Sequence, residues 1–435
     1  MKNYLLNVIF LIISNIVFGQ QFKQEFVSND IDNFWIAYDK ITATKDTLLQ
    51  QKYLKEFYLD KGTEGLKSLI LVRNYTQKDF LDNINNSQKF WNSIRENTLN
   101  VKELYSEIES DIQKLKLHYP ELRPMPIYFS IGAFRTNGTV HENKILIGSE
   151  YSLVDDKTVV LDDLPEARHS FYKTFKPRKN IALLATHEYI HTQQKELVHN
   201  LLSYCLYEGI AEFVSCKVTG KESTTPAIKF GKANRDEVVK QFAEDLFKVE
   251  NNYNWIWEEN RNHLKYRDLG YYIGYKIAER YYNLSADKKK AIKDLIELDY
   301  TNENEVERIV DRTNFLPKTL NQLYTDYENQ RPQVVSVKPF KNGSQKVNPK
   351  TSQIIIEFSE PMDECCRGFD FGYLGQNHSL QIKNIIGWSD DKKRLTVEIY
   401  ELKPDWEYQL LIENFKNLKG YRLKNYLIGF KTKKK

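Results

Sequence analysis

The residues best suited to chemistry in this chain are two histidines four apart with a glutamate after the first, His187-Glu188-Tyr189-Ile190-His191. On a helix that spacing puts both imidazoles on one face, where they can grip one metal ion. Glu188 then stands where a carboxylate can take a proton from water held on that ion. Zn²⁺ is the metal expected of such a set, with three protein ligands and a fourth position for water. The run entering the pentad, Asn180 to Ala185, is apolar nearly all round, so this helix is expected to be buried. Buried imidazoles need partners, and a merely hydrogen-bonded pair of core histidines is the bland alternative.

A third ligand must come from elsewhere. One class of zinc enzyme places a histidine six residues after the second, with a glycine midway. Here those positions hold Leu197 and Gln194, which excludes that class, and His199 lies two residues too far along. The other common solution is a glutamate on the next helix, and Tyr207-Glu208-Gly209-Ile210-Ala211-Glu212-Phe213 supplies two. The sixteen residues from 192 to 207 suffice to end one helix, turn and run back beside it. Leu201, Leu202, Cys205, Glu208, Ala211 and Glu212 share one helical stripe, so Glu208 is expected to face the first helix as the metal ligand. Glu212, one turn later, is either an acid that orients a histidine or the ligand itself.

Taken together, the pentad and the Glu208-Gly-Ile-Ala-Glu212 block resemble the gluzincin group of zinc metallopeptidases. More narrowly they resemble a bacterial family of predicted Zn-dependent proteases, the domain-of-unknown-function family 2268. The matching blocks are Pro126 to Gly132 with Ile145 to Glu150, Thr186 to Gln194, Glu208 to Phe213, and Gly270 to Tyr275, within residues 120–285. The resemblance implies a zincin-like fold and peptide hydrolysis, and it leaves the substrate open. In such proteases a sheet edge pairs with an extended peptide, which β-augmentation makes physically sensible.

With 435 residues there is room for two or three domains. Basic and acidic residues nearly balance, 63 against 59, and no basic patch interleaves with aromatics, so nucleic acid is not an expected partner. The terminal Lys431, Lys433, Lys434 and Lys435 read as a solubilising end. Tyr4 to Phe18 is a short apolar run after Lys2, followed by Gly19-Gln20, which reads as a signal peptide over residues 1–20. Export to the periplasm, cell surface or medium follows, with no membrane span expected once the leader is removed. Four cysteines suggest no disulfide framework: Cys205 and Cys216 fall on different helix faces, and Cys365 and Cys366 are neighbours. Cys205, three residues before Glu208, could approach the metal but reads better as a small buried side chain.

The fold expected is α+β: a mostly helical zincin-like metallopeptidase domain with a small antiparallel sheet over residues 21–331, then an all-β immunoglobulin-like sandwich over 332–435. Within the first, residues 21–120 form a helical part, with helices over 30–41, 46–58, 79–95 and 101–118, and 121–285 the catalytic core. Gly62 and Gly65 read as breaks. Strands are expected at 127–131, around Val140 and at 144–147, with Asn137-Gly138 as a hairpin signal. Helices return over 227–249, 264–283, 286–298 and 306–312. Tyr271 and Tyr275 share a face there, and Tyr271 is the first candidate to donate a hydrogen bond to a tetrahedral oxyanion, with Tyr275 and His263 as rivals and plain core packing as the alternative. After Arg331-Pro332 come short strands at 334–337, 353–358, 379–385, 394–399, 407–412 and 427–432. Phe358-Ser-Glu-Pro-Met362 and Leu402 to Tyr408 resemble bacterial immunoglobulin-like modules, for which surface or polymer binding is a fitting role.

The function expected is therefore that of a secreted zinc peptidase acting on peptide or protein. His187, His191 and Glu208 hold the metal and Glu188 is the general base. Neutral imidazoles are needed for the metal, so activity is expected to fall below about pH 6. The rival is a secreted binding or structural protein in which zinc only staples helices. Glu188 argues against it, since a structural site has no use for that carboxylate.

Overall fold

A computed structural model describes residues 23–159, 176–248, 252–258 and 260–434. The expected leader, Val249 at the end of one expected helix and Lys435 lie outside the described residues. The chain divides into two compact units that interleave in sequence: residues 1–196, 210–226 and 285–298 form one, and residues 197–209, 227–284 and 299–435 the other. Among the described residues no helix is long and apolar enough to cross a membrane.

The first unit opens with strand β1 (Phe26–Val27) and helices Asn29–Thr42, Thr47–Leu54, Glu64–Arg73, Gln77–Asn86, Gln88–Leu99 and Tyr105–His118. Most match the hydrophobic periodicity. Two differences have local causes. The stretch expected as one helix over 79–95 breaks at Ser87, whose φ of −124° leaves helical geometry. Helix Glu64–Arg73 forms where glycines suggested a break, because Thr63 caps it by accepting Leu66 N–H. Gly65 is there for closeness: a Cβ would lie 2.2 Å from the Tyr128 ring.

Strands β2 (Ile127–Ser130), β3 (Gly138–His141) and β4 (Lys144–Gly148) complete a sheet of order β1-β2-β4-β3. This sheet is mixed, which corrects the antiparallel expectation. β1 runs parallel to β2 and β2 parallel to β4, and only β3 and β4 form an antiparallel pair. The hairpin turns at Glu142-Asn143, where Glu142 adopts φ 51°, and Asn137-Gly138 instead leads into β3. Between β2 and β3 the chain must cross over β4, and buried side chains hold that crossing. Glu150 accepts Gly132 N–H at 2.8 Å and Phe134 N–H at 3.1 Å, while Tyr58 bonds both backbone groups of Ile131. Burial pushes the Glu150 carboxyl up to about 7, against the pull of those two N–H donors.

In the second unit, helices Pro226–Ala233 and Arg235–Asp245 replace the single one expected over 227–249, parting at Asn234. Leu269–Leu284, Glu303–Arg312 and Leu320–Gln330 follow, the last unforeseen in sequence but opened by a Thr319/Gln322 capping box. Helix Lys288–Ile296 belongs to the first unit. The C-terminal region is β-rich: β5 (Val334–Lys338), β6 (Gln353–Phe358), β8 (Ile382–Trp388) and β9 (Arg394–Ile399) make one sheet, in order β5-β6-β9-β8. β7 (Gly368–Asp370), β10 (Glu407–Glu413) and β11 (Tyr426–Lys431) make another, in order β11-β10-β7. Alternate residues of both sheets, among them Ile354, Ile356, Leu395, Val397, Leu410, Ile412, Ile428 and Phe430, enter one shared apolar core.

Candidate metal centre

The pentad lies on helix Ile181–His191, as its spacing requires. A 3₁₀ turn with a proline, Pro177–Asn180, leads in, and the Ala/Leu-rich first turns favour helix and present no polar group to the interior. All its residues but Leu184 are buried, His187, Glu188 and His191 included. Helix Tyr105–His118 and strands β3 and β4 pack against it. Its far end is tied to the entry of β2, where Tyr189 Oη accepts Met125 N–H at 2.8 Å and Gln193 Oε1 accepts Arg123 N–H at 3.0 Å.

The neighbouring helix, Leu201–Thr219, starts where Asn200 Oδ1 accepts Ser203 N–H at 2.8 Å and ends at Gly220, which takes φ 73°. His187, His191 and Glu208 each offer a ligand atom, and the three atoms lie within 4.8 Å of one another. The ring nitrogens decide what that cluster can do. His187 Nδ1 lies 3.1 Å from Glu212 Oε2, and His191 Nδ1 lies 2.7 Å from Gln194 Oε1. Both partners are acceptors, so both Nδ1 atoms carry the proton. The two Nε2 atoms, 3.0 Å apart, then turn lone pairs toward each other. Such a pair repels unless a cation stands between; two nitrogens at about 2.0–2.1 Å from one zinc ion are separated by roughly 3.3 Å. The donor set thus fits a zinc ion.

Glu212 is the better-satisfied acid. Besides His187 it accepts Ser223 Oγ and, at 3.1 Å, Thr225 Oγ1. Burial works to raise its carboxyl, yet these bonds hold it below the ordinary carboxylate range. Among the described residues the set that could hold a metal contains Glu208, while Glu212 bonds His187. Glu188 meets β3 directly: a Cβ on Gly138 would lie 2.6 Å from Glu188 Oε1, so glycine leaves room for the carboxylate against the edge strand.

Helix Leu269–Leu284 crosses the Glu208-bearing helix at exceptionally short range. A Cβ on Gly274 would fall 1.7 Å from the Cys205 carbonyl oxygen, and one on Gly209 would fall 2.3 Å from Gly274 carbonyl carbon. Cys205 is fully buried against Gly270, and burial, then the Glu208 charge, push its thiol well up, so it packs as a neutral side chain. Backbone meets backbone at this crossing and cannot yield. Gly274→Ala is therefore expected to cost at least about 3 kcal/mol of stability, read as a lowered urea midpoint with unchanged slope. A change under about 0.5 kcal/mol would contradict the crossing.

Tyr271 and Tyr275 stand on this crossing helix, Tyr271 half-buried and Tyr275 buried beneath Lys232, whose ammonium is 5.7 Å from the ring centre. At the N-terminal edge of this helix, burial raises the Asp268 carboxyl most, Arg267 opposes, and the Glu208 charge raises it further. His263 lies at the surface, 2.7 Å from Glu237. Gln194, Ser223 and Thr225 were given no role in sequence, and Gly138 only that of a turn. Ser223 and Thr225 act on an acid eleven and thirteen residues back, Gly138 acts through a missing side chain, and Gln194 acts on His191 just past the end of the helix, so none leaves a periodic signal.

A family model described as "Predicted Zn-dependent protease (DUF2268)" matches residues 169–302. That span holds both helices of the metal cluster and the crossing helix, while the strand blocks at 126–132 and 145–150 fall outside it. No curated protein matches the chain. Among solved structures, those of the bacterial S-layer protein SbsC match at 13–14% identity and TM-scores of 0.19–0.20. The chain covers 41% and 44% of the first two, and they cover 62% and 66% of it. Superpositions this poor establish no shared fold.

Proposed function

We propose that the protein is a gluzincin-type zinc peptidase that hydrolyses peptide bonds in a peptide or protein substrate. The observation that carries this reading is the grouping of ligand atoms from His187, His191 and Glu208 within 4.8 Å of one another, with Glu188 on the helix of the two histidines. Zinc, when bound by His187, His191 and Glu208, would acidify a water and polarise the scissile carbonyl. Glu188 would take the water's proton and pass it to the leaving amine. Glu212, fixed by Ser223 and Thr225, would keep His187 in the tautomer that offers Nε2, and Gln194 would do the same for His191. Tyr271 is the favoured donor to the oxyanion, on the helix that crosses beside Glu208. The edge strand β3, running past Glu188 through Gly138, suits an extended substrate that adds to the sheet.

For the C-terminal region we favour an immunoglobulin-like domain. Its strand orders, β5-β6-β9-β8 and β11-β10-β7, correspond to the ABED and GFC sheets of constant-type domains. Tyr408 at the start of β10 accepts Lys403 N–H at 2.8 Å, as the tyrosine corner of that fold does. Export rests on the apolar leader, and a surface- or polymer-binding role for this domain fits an exported enzyme.

The test is digestion of a peptide library by the zinc-loaded protein, read by mass spectrometry. Cleavage that a chelator abolishes and added Zn²⁺ restores is expected. Cleavage that persists after the metal is stripped would overturn the zinc mechanism, and no cleavage of any peptide would overturn the peptidase reading.

A further inference from the structure

The partly open residues around Glu208 on its helix are Tyr204, Tyr207 and Glu208 itself, at helical positions i, i+3 and i+4, while Cys205, Leu206, Gly209 and Ile210 are buried. The open face beside the carboxylate is therefore aromatic. Tyr204 extends it into a cluster: its ring meets Trp257 edge-on at 4.9 Å, Trp257 meets Tyr253 at 5.2 Å, and His199 Nδ1 bonds the Tyr204 hydroxyl at 2.5 Å. Tyr253 is 64% and Trp257 40% exposed, a large apolar area left facing water. The cluster is also tied to the residue before the crossing helix: Arg267 Nη2 donates to the Trp257 carbonyl at 3.0 Å and its Nε to Asp268 Oδ2 at 2.9 Å. All these residues belong to the second unit.

We infer that Tyr204, Trp257 and Tyr253 form a subsite for an aromatic or large aliphatic side chain of the substrate peptide, close to the bond that is cut. The inference rests on the peptidase reading and gives it a substrate class. Reach supports the placement. Four residues of helix separate Tyr204 from Glu208, about 6 Å along the axis, and an extended peptide covers that in roughly two residues. An exposed aromatic cluster suits an apolar side chain better than a charged one, and rings already packed edge-on or tilted against one another need little ordering when it binds.

Two matched hexapeptides, one with Phe two residues from the cleaved bond and one with Ala there, serve as probes. In the zinc-loaded wild type the Phe peptide should be cut with a kcat/KM about 10- to 100-fold higher than the Ala peptide, the range a filled apolar pocket provides. Trp257→Ala should remove that preference by raising KM for the Phe peptide far more than for the Ala peptide, with kcat little changed, and should keep its zinc. Trp257→Phe should restore most of the preference. Calorimetric binding of both peptides to the Glu188→Gln protein reads the subsite without turnover, with Tyr204→Ala as a second variant. Tighter binding of the Phe peptide, lost in either alanine variant, supports the subsite even if the wild type cuts nothing, which would sink the peptidase reading alone. Equal binding of the two peptides, or an equal loss for both, overturns the subsite.

Discussion

Replacing Glu188 by glutamine should leave about one zinc ion per chain and an unchanged melting temperature, yet reduce peptide hydrolysis by roughly 10²–10⁴-fold, the range that general-base catalysis contributes. The substitution preserves volume beside Gly138 while removing the negative charge and, with it, the capacity to take up a proton. It does not touch the two Nε2 atoms that face each other, since His187 and His191 are held through Nδ1 by Glu212 and Gln194. Metal content by atomic emission and turnover of a cleaved library peptide therefore separate cleanly. Full activity in this variant would remove Glu188 from the mechanism. Zinc loss together with activity would instead make it part of the metal-holding set.

The second large effect distinguishes two acids one helical turn apart. Glu208→Ala should weaken zinc binding on the order of 10²–10³-fold or more, taking roughly a quarter of the ~10–16 kcal/mol of a protein zinc site as one ligand's share. Glu212→Ala should weaken it only about 10- to 100-fold, the usual effect of removing a group that orients a ligand. A competition titration with a chromophoric chelator measures both. Because Glu212 is buried with Ser223 and Thr225 directed at it, its alanine variant should also lose stability, on the order of 1–3 kcal/mol for the donors left unpaired. Glu208 is only half-buried, so its alanine variant should unfold close to the wild type when metal is absent from both. The reverse ranking of zinc affinities would exchange the two roles.

What was legible before the fold was known follows from how local each relation is. The His187/His191 pair is one helical turn, and its buried setting is written in the apolar run before it. Most helices of the first unit and six of the seven C-terminal strands announce themselves by period, because each buries one face against a core. β7 is only three residues, Gly368–Asp370, too short to show alternation. The parallel pairing of β2 with β4 was not legible, because register between strands separated by a long crossing depends on Glu150 and Tyr58, which hold that crossing from other elements. Nor was the meaning of Gly65, Gly138 and Gly274: a glycine read along the chain suggests a break, whereas here each marks a place where another group comes too close for a Cβ.

Sequence alone therefore determined the chemical inventory: two imidazoles on one helix face, a carboxylate beside the first, and two further acids on the next helix. Only the tertiary structure assigned partners to those acids. Ser223 and Thr225, eleven and thirteen residues beyond Glu212, occupy one of its oxygens while His187 takes the other, and Glu208 stands with the imidazoles as the remaining acid. The physical reason is that helical spacing is a property of a few consecutive residues, while the choice between two acids on the same face depends on which donors the rest of the fold brings to each.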